Sequence, residues 1–96
     1  APWMNDRPPL ALVVDDESMV RRIARESLIH LGMNVIEAAD GESALESFRA
    51  EHPDIVLLDV LLPSLDGFEV CAAIRELPEG RNPPVVIMTG QDELHT

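Results

Sequence analysis

Leu10-Ala11-Leu12-Val13-Val14-Asp15-Asp16-Glu17 is apolar at five consecutive positions and then acidic at three. A run that is apolar at every residue suits a strand covered on both faces, as in a parallel sheet, whereas a strand with one wet face alternates. Ile55-Val56-Leu57-Leu58-Asp59 repeats the arrangement, apolar and then acidic. Val85-Val86-Ile87-Met88 repeats it again but ends on Thr89-Gly90. Val35-Ile36 is a weaker strand between the first two.

Between the strands the period changes. Ser18 can cap a helix, and Val20, Ile23, Ala24, Leu28 and Leu31 then recur at helical spacing as its inward face. Gly32 follows where a left-handed helix end favours glycine. Asp40-Gly41 reads as a turn, and Ala44, Leu45 and Phe48 mark a second helix closed before Pro53. Residues 60–65 form a loop, and Val70, Ala73, Ile74 and Leu77 are the inward face of a third helix. Residues 78–84 form another loop, and 91–96 begin a further element. Residues 1–9, with three prolines, read as a flexible leader. The order is βαβαβαβ with short connections, which predicts one α/β domain over 10–96: a parallel sheet with right-handed crossovers and helices on both faces.

Composition narrows the function. The 96 residues are 46% apolar and 26% charged, a globular balance. Eighteen acidic residues stand against seven basic ones, all Arg, for a net charge of −11. Such a surface repels phosphate backbones and anionic lipid heads, so neither nucleic acid nor membrane is expected as a partner of this domain. The single cysteine, Cys71, cannot form an internal disulfide, and no Cys/His cluster has zinc spacing. Apolar runs fall far short of the roughly 20 residues that span a bilayer, and no signal-peptide pattern is present. A cytoplasmic setting is expected.

In doubly wound sheets ligands bind outside the carboxyl ends of the strands, and Asp15-Asp16, Asp59 and Thr89 all stand at such ends. Close carboxylates repel one another unless a cation lies between them. A hard divalent ion resolves that conflict, and magnesium takes one or two carboxylates together with phosphate oxygens. The metal would shield an approaching phosphoryl group, so that a carboxylate oxygen could attack phosphorus. The Thr89 hydroxyl could donate to a phosphoryl oxygen.

Val13-Val14-Asp15-Asp16-Glu17, Asp59-Val60-Leu61-Leu62-Pro63-Ser64-Leu65-Asp66-Gly67 and Val86-Ile87-Met88-Thr89-Gly90 resemble the receiver domain of bacterial two-component response regulators. The resemblance runs from Leu10 to the end of the chain. It implies a flavodoxin-like sheet of strand order 2-1-3-4, with a fifth strand and the last helices missing, so that the domain is incomplete at its C-terminus. It implies that Asp59 accepts a phosphoryl group from a histidine kinase or histidine phosphotransfer protein. Asp16 and Asp59 would bind Mg2+ directly, Asp15 through water, and the backbone carbonyl of Leu61 would complete the protein ligands. Thr89 would be the switch hydroxyl, Pro63 and Asp66-Gly67 would shape the loop after the acceptor, and a C-terminal output domain outside this chain would read the switch. The family's Lys and aromatic residue on the fifth strand have no counterpart here, and an uncovered fourth strand could pair copies into a homodimer.

Two other functions compete: a pseudo-receiver serving as an interaction scaffold, and an aspartyl-phosphate phosphohydrolase. The intact acidic set weighs against the first. Leu61, where a haloacid-dehalogenase-like enzyme needs a second Asp, weighs against the second, so a regulatory domain and not an enzyme is expected. His30, His52 and His95 read as surface residues, Cys71 as a packing residue and Met33 and Met88 as core fillers. Arg21, Arg22 and Arg25 lie on the outer face of the first helix. There they either meet the histidine-bearing partner, as the resemblance implies, or form ion pairs with Glu17 and Glu26.

Overall fold

Among the described residues seven elements alternate: β1 Leu10–Val14, α1 Ser18–His30, β2 Asn34–Ala38, α2 Gly41–Glu51, β3 Ile55–Asp59, α3 Gly67–Glu76 and β4 Val85–Met88. The computed structural model describes residues 7–59, 67–77 and 84–88, with the backbone alone at Asp59, Gly67, Phe68, Ile87 and Met88. Among the described residues all strand pairs are parallel and the sheet order is β2-β1-β3-β4, the order that the family resemblance implies. Central β1 has its last four residues fully buried, which is why it is apolar without alternation.

Successive strand residues point to opposite faces. Leu12, Val14, Val56 and Leu58 share one face with Ala44 and Phe48 of α2 and Val70 and Ile74 of α3, and this cluster is the core. Each large side chain fully buried there contributes about 1.5–3 kcal/mol. Cys71 and Leu77 pack on its margin, as expected of a packing cysteine. Helix α1 lies against β1 and β2.

The inward face expected for α1 is only partly inward. Val20, Ala24 and Leu28 are half-buried, but Ile23 is 61% and Leu31 75% exposed. The apolar arc of α1 is wider than the strip of sheet it meets, so its far side faces solvent among the described residues.

Helix starts also differ from expectation. Ser18 is the first helical residue and not the cap. Glu17 occupies the cap position without a side-chain bond, and Asp15 Oδ1 accepts from the Glu17 N–H at 2.9 Å. Asp40, expected in a simple turn, caps α2: its Oδ1 accepts from the Ser43 N–H at 2.8 Å and from the Ser43 hydroxyl at 2.9 Å. These bonds favour the ionised carboxylate, so the Asp40 pKa lies below its ordinary value. β2 extends from Asn34 to Ala38, beyond Val35-Ile36, because each of its five residues pairs with one of β1. Gly32 takes φ +94° after α1, as its position predicts, and His52 ends α2 at φ 50°.

Candidate functional site

Parallel strands bring their carboxyl ends to a single rim, and the register says which residues meet there. Val14 pairs with Leu58 and Asp59 with Met88. Asp15 therefore follows β1 beside Asp59, the last residue of β3. Residue 89 would come next after Met88, but Thr89, like Leu61, Pro63 and Asp66, lies outside the described residues. The register thus brings the backbones of Asp15 and Asp59 to one rim, with Asp16 the next residue along the chain from Asp15. Among the described side chains no group of three His, Cys, Asp or Glu forms a metal cluster, the Asp59 side chain being outside that set.

Among the described side chains of this rim, Asp15 is the buried acid, 5% exposed. Its N–H donates to the Ala38 carbonyl at 3.1 Å. Its Oδ1 accepts from the Glu17 N–H at 2.9 Å, folding the chain into a turn over the start of α1. Its carbonyl accepts from Arg21 Nη1 at 2.7 Å. Asp16, the next residue, is exposed. Neighbouring carboxylates of this kind are hard oxygen donors, a set that fits a hard divalent cation and not a soft one.

The arginines of α1 divide their roles. Arg22 pairs with Glu26 at 3.2 Å, as the sequence suggested. Arg21 and Arg25 do not take Glu17; they converge on Glu37 of β2, at 3.1 Å and 3.6 Å. The reason is direction: these two residues, one helical turn apart, flank the sheet edge where Glu37 lies. The sequence signal was there, in the paired arginines and the acid interrupting β2, but the order of residues alone does not say which side chains of α1 reach Glu37. His30 and His52 are exposed, as expected, and Met33 is half-buried. A shallow groove lined by Ile23, Glu26, Ser27, His30 and Leu31 runs along the far half of α1, away from the acidic rim.

Comparison with known proteins agrees with this architecture. The response regulator receiver domain matches residues 11–96. The alkaline phosphatase synthesis transcriptional regulatory protein PhoP of Bacillus subtilis is 43% identical over 82 residues, 85% of this chain and 33% of that protein. The protein named probable transcriptional regulator ycf27 of Porphyridium aerugineum is 43% identical over 83 residues, 86% of this chain and 33% of that protein. The chain therefore spans about a third of the length of these curated relatives. Among solved structures, the N-terminal domain of a response regulator receiver protein from Methanoculleus marisnigri JR1 superposes with a TM-score of 0.81 at 34% identity, covering 91% of this chain and 74% of that one. With its strand order, its acidic rim and a family match over nearly its whole length, the chain belongs to the response regulator receiver domain family.

Proposed function

We propose that this chain takes a phosphoryl group onto Asp59 from a histidine kinase or histidine phosphotransfer protein and thereby switches an output domain. The observation that supports this reading is the register of β1 on β3, Val14 against Leu58, which sets the carboxyl ends of the two strands side by side. In the transfer the phosphorus–nitrogen bond of a phosphohistidine breaks, a phosphorus–oxygen bond to an Asp59 carboxylate oxygen forms, and the imidazole leaves. Asp16 and Asp59 would hold Mg2+ directly, Asp15 through water, with the Leu61 carbonyl as a further ligand. When bound, the ion would offset the negative charge of the carboxylates and of the incoming phosphoryl oxygens. The Thr89 hydroxyl would then engage a phosphoryl oxygen and carry the switch.

The domain is regulatory and not catalytic toward other substrates. Two curated relatives are named transcriptional regulators and are about three times as long as the matched region, which supports an output domain acting in transcription. No helix among the described residues is long and apolar enough to cross a membrane. Among the described residues β4 lies at the sheet edge with Val86 47% exposed, which supports pairing between copies.

The test is to incubate the full-length protein with Mg2+ and acetyl phosphate or beryllofluoride and to look for a modified Asp59 by mass spectrometry and NMR. The expected result is a metal-dependent adduct that disappears in Asp59→Asn. Absence of any adduct would leave the scaffold reading, and turnover of diverse phosphoesters would favour the phosphohydrolase.

A further inference from the structure

We infer that Arg21 is a positioning residue for the Asp15-Asp16 turn and that Glu37 holds Arg21 in place for that task. The inference rests on the proposed role of that turn in Mg2+ binding. One guanidinium serves two acceptors: Nη1 donates to the Asp15 carbonyl at 2.7 Å and Nε to Glu37 Oε1 at 3.1 Å. Glu37 Oε2 meets Arg25 at 3.6 Å, so the carboxylate is bracketed by two cations from α1. The Arg21 side chain is 18% exposed, against 76% for Arg22 one residue on. Arg21 is thus folded down between helix and sheet, and not waving in solvent.

What it grips is the peptide group leading into Asp16. Asp15 is already tied by its N–H to Ala38, the residue after Glu37, and by its Oδ1 to the Glu17 N–H. Arg21 adds the carbonyl, so the backbone and side chain of Asp15 are held from three elements: β2, the turn and α1. An ion pair this near the surface adds little to stability. Its contribution is orientation. Adjacent carboxylates repel, and Mg2+ demands near-ideal octahedral geometry, so a turn with a free peptide plane would present Asp16 poorly. Arginine suits the post because its planar fork reaches two acceptors at once, which an ammonium group does not do with the same geometry.

The sign of one measurement separates positioning from mere charge. Removing a cation near an acidic rim strengthens cation binding if Arg21 acts only through its charge, and weakens it if Arg21 orients the turn. Titration calorimetry of the full-length protein with MgCl2 is expected to show roughly 10-fold weaker binding in Arg21→Met, the lower end of the cost of losing a supporting partner of a metal site. Arg21→Lys keeps the charge but not the fork, and is expected to bind Mg2+ several-fold more weakly too; it decides the matter should Arg21→Met fail to fold by circular dichroism in EDTA. Unchanged or tighter Mg2+ binding in a folded variant, with normal binding in the wild type, overturns the role of Arg21 and leaves the proposed function standing. A wild type that binds no Mg2+ overturns both.

Discussion

Leu10 and Asp54 are joined by two hydrogen bonds across the amino-terminal edge of the sheet: the Leu10 N–H donates to Asp54 Oδ2 at 2.7 Å, and the Leu10 carbonyl accepts from the Asp54 N–H at 2.7 Å. This clamp fixes where β1 begins relative to β3, and the same register places Asp15 beside Asp59 at the other end. Asp54→Ala removes the side-chain acceptor from a strand-end N–H and is expected to cost about 1 kcal/mol, read as a lower urea midpoint. Asp54→Asn, which keeps an acceptor oxygen, should recover most of it. Equal losses in both variants would show that the hydrogen bond is not what Asp54 contributes.

Phe48 is fully buried between α2 and the sheet, in contact with the core formed by Leu12, Val14, Val56 and Leu58. Phe48→Ala is expected to cost about 3–5 kcal/mol, a large part of the roughly 5–15 kcal/mol that a domain has in all. Thermal unfolding should show a transition tens of degrees lower or none. A shift of only a few degrees would mean that the core closes over the cavity.

Two helix ends predict opposite outcomes for opposite substitutions. Gly32 adopts φ +94° with nothing near the position of an added Cβ, so Gly32→Ala meets no clash and only backbone strain; it should destabilise by about 1 kcal/mol. His52 adopts φ 50° with its N–H donating to the Phe48 carbonyl at 3.0 Å. His52→Gly relieves the strain and keeps that bond, and should be neutral to stabilising by up to about 1 kcal/mol. Denaturant midpoints of the pair provide the comparison, and movement in the same direction would refute the conformational account.

Asp40 gives a pH dependence with a definite sign. The Ser43 N–H and hydroxyl bind its ionised carboxylate, so the folded pKa lies below the unfolded value of 3.8. The contribution is complete above that value and is lost as pH falls through the lower, folded one. Wild type should therefore lose more stability than Asp40→Asn between about pH 6 and about pH 3, since asparagine accepts the same bonds at every pH. Parallel losses in the two proteins would place the acid sensitivity elsewhere.

Much of this molecule is written locally. Five apolar residues before Asp15 and four before Asp59 are enough to imply buried parallel strands, and acidic strand ends are enough to single out that rim as the candidate site. The helix termini were less legible. Whether Ser18 or Glu17 caps α1 depends on a hydrogen bond from the Glu17 N–H to Asp15, and a cap is a matter of one residue's dihedrals and not of a run of similar residues.

Period and polarity are properties of neighbours in the chain, so the amino-acid order alone determined the alternation of strands and helices, the burial of β1 and β3, and the candidacy of Asp15, Asp16 and Asp59. Only the folded sheet decided that Glu37 of β2 meets both Arg21 and Arg25 of α1, and that Ile23 and Leu31 look away from the core. Those facts depend on which elements pack together, and packing is chosen by the summed burial of the whole domain, which no single segment encodes.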